Sequence, residues 1–96
     1  MAVIFHIPGA LRVFTEGRSR VEIDSGHHML RDVLLMLWSR YPGLRDRVAT
    51  EQGEVREHIN IFLGNENIRY LDGLATPVPD GSEITIVPAI SGGMHP

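Results

Sequence analysis

Hydrophobic and polar positions change period several times along the chain, and each change marks an element. Ala2 to Ile7 is β-branched and aromatic and ends at Pro8-Gly9, which predicts a first strand. Ser19 to Ile23 alternates, with Val21 and Ile23 on one face, and predicts a half-buried second strand hairpinned to the first. From His28 to Tyr41 the period becomes helical. Leu30, Val33, Leu34, Leu37 and Tyr41 share one stripe, and Pro42-Gly43 stops it. Leu35, Met36 and Trp38 widen that stripe, as expected of a helix that covers a sheet. Leu44 to Ala49 continues as a short second helix, and polar Thr50 to Glu57 reads as a loop. His58 to Leu63 is a strand, Gly64 to Asn67 a tight turn, and Ile68 to Tyr70 a short paired segment. Asp72 to Val78 reads as a compact loop. Pro79-Asp80-Gly81 turns into the last strand, Glu83 to Val87, and Ala89 to Pro96 carries no pattern. The order predicts an α+β domain with one main helix packed across a mixed sheet, and Leu30, Val33, Leu34 and Leu37 facing Val3, Phe5, Ile7, Ile61 and Ile86.

Length limits what such a domain can do. At 96 residues, surface scaling buries about 64% of the unfolded area, enough for one core and too little for a cleft between lobes. The absence of cysteine excludes disulfides, thiolate metal sites and a catalytic thiol. Any sulfur chemistry must therefore act on something other than a side chain. Nine basic residues stand against twelve acidic ones, a formal charge of −3, which argues against tracking nucleic acid or an anionic membrane. All nine are arginine, so lysine Schiff-base chemistry is excluded as well. The longest apolar run, Val33 to Trp38, is far too short to span a bilayer, and a cytoplasmic protein is expected.

Side-chain chemistry offers little. His27-His28 has no carboxylate cluster at ligand spacing, so solvated histidines are expected rather than a metal pair. Arg40, Arg45 and Arg47 are interrupted by Asp46 and read as a solvated helical face. No Ser/His/Asp or paired-carboxylate arrangement is supported by spacing, and neither catalytic nor metal-binding residues are assigned. Trp38 is expected in the core.

One pattern is more specific. A strand and Asn-containing turn (Asn60 to Asn67) precede Gly73-Leu74-Ala75-Thr76. Asp80-Gly81 then leads into the last strand, followed by Pro88-Ala89-Ile90-Ser91-Gly92-Gly93. Together with Leu30 to Leu34 and Arg40 to Leu44, this resembles the ubiquitin-like sulfur carriers, the family of the small molybdopterin synthase subunit and the thiamine-pathway carrier. The stretch from Gly73 to Thr76 is most similar to the branch serving a cysteine synthase.

The resemblance implies a β-grasp domain over residues 1–90 and a flexible tail over 91–96. It also implies a protein co-substrate rather than an enzyme, binding no cofactor itself. In this family the second glycine, here Gly93, carries a free carboxylate. A ubiquitin-activating-like adenylyltransferase adenylates it with ATP, and a sulfur donor converts it to a thiocarboxylate. Here Met94 to Pro96 follows, so the resemblance implies trimming between Gly93 and Met94 by a zinc metalloprotease of the JAB/MPN type. Ser91 and Gly92 would thread the partner channels, glycine because it lacks Cβ and tolerates positive φ. The implied sulfur acceptor is a PLP-dependent, cysteine synthase-like enzyme. A molybdopterin or other cofactor pathway, and ubiquitin-type protein modification, are the alternatives. Phe62, Val87 and Ile90 are the candidate partner contacts.

Overall fold

The computed structural model describes residues 2–24 and 28–89. Strand β1 (Ala2–His6) pairs antiparallel with β2 (Arg20–Asp24), in the register Val3 to Ile23 and Phe5 to Val21. The last strand, β7 (Glu83–Pro88), lies parallel to β1 on its other edge. Beyond β7 come β4 (Ile59–Leu63), antiparallel to it, and the two-residue β5 (Glu66–Asn67), which gives the sheet order β2-β1-β7-β4-β5. A second, minimal sheet pairs β3 (His28–Met29) with β6 (Pro77–Val78). Helix α1 (Leu30–Arg40) crosses the inner face, and α2 (Pro42–Val48) follows after Tyr41. This is the β-grasp arrangement, with its final strand between two neighbours.

Alternation along the strands decides which residues reach the core. Val3, Phe5 and Ile7, with Ile59 and Ile61, and Ile84 and Ile86, are buried facing α1. Leu30, Val33, Leu34, Leu37 and Trp38 meet them from the helix, as their spacing predicts. Leu44 and Val48 add the buried stripe of α2. Among the described residues, the two buried polar side chains are satisfied internally. Thr15 Oγ1 donates to the Arg18 carbonyl at 2.8 Å, and Thr76 Oγ1 donates to the Gly73 carbonyl at 2.7 Å while accepting from Asp72 N–H.

The structure departs from expectation at several junctions. The helix starts at Leu30, not His28, because His28 and Met29 are held extended against Val78 and Pro77. Pro42 does not end the helical region. It opens α2 at a first-turn position, where a missing N–H costs nothing. Ile68–Tyr70 is a 3-10 turn rather than a paired segment; Glu66 and Asn67 do the pairing, and Asn67 Oδ1 then caps the turn by accepting from Arg69 N–H at 2.9 Å. The connection from β1 to β2 contains a 3-10 helix over Gly9–Thr15, closed by Glu16 in the left-handed region at φ 58°. Gly73–Ala75 forms another such turn within the expected loop.

Candidate functional site

Burying one face of the sheet against α1 leaves the other outward. Its rows follow from the register. His6 stands beside Thr85, and Thr85 opposite Phe62, across β1, β7 and β4. One row on, Val87 stands opposite Asn60. Phe62 is half-buried and Val87 is 39% exposed, so both candidate contact residues lie on this outward face and not in the core. An apolar centre is framed by polar groups. His6 Nε2 lies 2.7 Å from Glu83 Oε1 across the parallel pair, and Arg20 reaches Glu22 at 3.6 Å. Asn67 Nδ2 donates to Asn60 Oδ1 at 3.2 Å at the β5 edge.

The same sheet aims the end of the chain. Because β7 is bonded on both edges, its direction is fixed by β1 and β4 together. The last described bond is Ala89 N–H to the His58 carbonyl, 2.6 Å. Arg69 secures the β4 side of that exit: one terminal nitrogen donates to the carbonyls of Glu57 and Ile59, both at 2.9 Å. Sequence reading gave Arg69 no role, since the loop it clamps is about ten residues away and only the fold brings them together. Ile90, Ser91, Gly92 and Gly93, and the segment from Met94 to Pro96, lie outside the described residues, as does His27.

The other candidates are dispersed. Arg40 donates to the Glu22 carbonyl, Arg45 to the Thr50 carbonyl, and Arg47 lies over the Phe14 ring at 4.9 Å from its centroid. They form no common patch. The backbone of His28 pairs with Val78 in the β3–β6 ladder, and among the described residues no group of three His, Asp or Glu side chains is placed to hold a metal ion. Among those residues, too, no helix is long and apolar enough to cross a membrane. Among the described residues the geometry offers an outward sheet face around Phe62 and Val87 and a last strand bonded on both edges.

Comparison with known proteins agrees with that geometry. The ThiS family profile matches residues 5–93. The chain is 34% identical over 95 residues to the sulfur carrier protein CysO of Mycobacterium tuberculosis, covering 97% of this chain and all of that protein. It is 39% identical over 62 residues to the small archaeal modifier protein 3 of Haloferax volcanii, covering 65% of this chain and 66% of the modifier. Among solved structures, the Amycolatopsis orientalis BexX/CysO complex contains a chain superposing with a TM-score of 0.86 at 33% identity, over 96% of this chain and all of that one.

Proposed function

From the premise that the chain belongs to the ThiS family of ubiquitin-like sulfur carriers, we propose that its working group is the carboxylate of Gly93, exposed when Met94 to Pro96 is removed. The observation that carries this reading is the family match running through to Gly93, on a chain that lacks both cysteine and lysine. An oxygen of the freed carboxylate attacks the α-phosphorus of ATP on a ubiquitin-activating-like adenylyltransferase, and pyrophosphate leaves. A sulfur donor then attacks the acyl carbon, AMP leaves, and Gly93 ends as a thiocarboxylate. With Met94 attached, that carbonyl is an amide with no oxygen nucleophile to offer, so the full chain is latent.

The full-length likeness to CysO favours a cysteine synthase-like, PLP-dependent acceptor, in which the thiocarboxylate sulfur attacks an activated serine. Phe62, Val87 and Ile90 are the contacts proposed for these partners, and the BexX/CysO complex shows a relative of this fold in a protein complex. A trimming protease of the JAB/MPN type completes the set. In this role the chain is a co-substrate, carrying a group that other proteins make and consume.

Intact mass of the protein from its own host tests the reading. The expected species ends at Gly93 and is heavier than the plain acid by the difference between sulfur and oxygen. In vitro, the chain truncated after Gly93 should be adenylated and the full chain should not; equal adenylation of both would overturn the latency argument. The likeness to the archaeal modifier favours a second reading, attachment of Gly93 to target lysines. That would appear as a ladder of conjugates instead of a thiocarboxylate.

A further inference from the structure

Two shallow clefts flank the point where the chain leaves β7, and both are rimmed by arginine. The first, about 480 Å³, is bordered by His6, Arg12, Arg20 and Val87. Arg12 is fixed there because its Nε donates to the Ile7 carbonyl at 3.0 Å, and Ile7 follows the end of β1, which runs parallel to β7. The second, about 570 Å³, is bordered by Phe14, Asp46, Arg47, Arg56 and His58. Since the His58 carbonyl accepts from Ala89 N–H, this cleft abuts the last described residue.

The arginines are held in a particular way. Arg56, like Arg12, gives its Nε to a backbone carbonyl, here that of Asp46 at 2.9 Å. Arg47 lies over the Phe14 ring, its guanidinium carbon 4.9 Å from the centroid. Among the described residues, none of these three arginines pairs with a carboxylate, and the terminal fork of each is left to solvent or a partner. The one carboxylate on either rim, Asp46, has its Oδ1 3.7 Å from Arg45. So four arginines from four separate parts of the chain line the two clefts beside its exit, in a protein whose formal charge is −3. One of them, Arg20, lies 3.6 Å from Glu22, so Arg12, Arg47 and Arg56 carry the excess positive charge of the rim.

We propose that this arginine rim is a docking surface for an acidic stretch, rich in Asp and Glu, on the proteins that receive the tail. The inference rests on the carrier reading above, because it assigns the rim to whatever channel takes up residues 90–93. Pre-oriented guanidinium forks match carboxylates two at a time. Exposed charges beside the end of β7 raise the encounter rate and fix the approach angle more than they deepen affinity. A nucleic acid is the poorer match, since the rest of the surface is acidic and would repel a polyanion longer than the rim.

The test uses the full chain and an octaglutamate peptide, with side-chain N–H signals of arginine followed by NMR. Arg12, Arg20, Arg47 and Arg56 should shift on titration and Arg31, on the outside of α1, should not. Affinity should fall by about tenfold or more as salt rises from roughly 20 to 200 mM. Arg47→Glu with Arg56→Glu should abolish binding with the melting temperature retained, and Arg47→Gln with Arg12→Gln should weaken it without reversing charge. Equal shifts at Arg31, or an octathymidylate binding as tightly as the peptide, would overturn the proposal. A second measurement separates the two readings. With a chain ending at Gly93 and an activating enzyme, Arg47→Glu should raise KM for the carrier about tenfold with kcat unchanged. An unchanged KM sinks the docking surface alone, whereas no adenylate even from the unsubstituted chain sinks the carrier reading and leaves the peptide titration to decide the rim.

Discussion

Arg69 is an exposed residue whose loss should be felt at a distance. Its guanidinium ties the carbonyls of Glu57 and Ile59 to the turn after β5, and through them holds the His58 carbonyl where Ala89 needs it. Hydrogen bonds from a charged donor contribute about 1.5–3 kcal/mol, so Arg69→Ala should lower stability by about that amount in chemical denaturation. It should also speed hydrogen exchange at Ala89 N–H. Alternation along β4 told Ile61 from Phe62, one inward and one outward, because a strand's period is local. No local rule links Arg69 to a loop about ten residues back, and its part in the site was illegible for that reason. Glu16 was hidden in the same way: a non-glycine residue at φ 58° has no sequence signature beyond the Gly17 that follows it.

Helix α1 shows how far periodicity reaches at the scale of an element. Its buried residues fall where the i, i+3, i+4, i+7 rule places them, but Leu35, expected to widen the stripe, faces outward and is 56% exposed. Leu34→Ala should therefore cost about 2–5 kcal/mol through the cavity it leaves. Leu35→Ala should change stability by no more than about 0.5 kcal/mol. Equal melting temperatures for the two variants would contradict the packing. The ends of elements were less legible than their middles. Leu30 N–H donates to the Thr76 carbonyl at 2.9 Å, so the first turn of α1 is positioned by a segment more than forty residues later in the chain. The 3-10 turns at Gly9–Thr15 and Gly73–Ala75 carry no period that a pattern search recognises.

For the molecule as a whole, body and tail should be separable. In a chain ending at Gly93, Gly92→Ala and Gly93→Ala should leave the melting temperature unchanged within the small range of exposed positions, about 0.5 kcal/mol. Adenylation and sulfur transfer should nevertheless fall sharply, since each added methyl narrows φ and meets a channel wall. Alanine variants active at the unsubstituted rate would reduce the glycines to an ordinary chain end. The signal that marks the chain end, Pro88 to Gly93, is contiguous and so is visible in sequence. The arginine rim is not visible there, because Arg12, Arg20, Arg47 and Arg56 are scattered over four segments and come to line neighbouring clefts only in the folded domain.

The central place of β7 has a mechanical consequence. A partner that grips the tail pulls along the axis of this strand. Ladder bonds to β1 and β4 lie across that axis, so the load is shared by both ladders in shear and cannot open them one bond at a time. The body then behaves as a stop knot on a thread: the tail can be drawn taut into a narrow passage, and the domain halts at its mouth still folded.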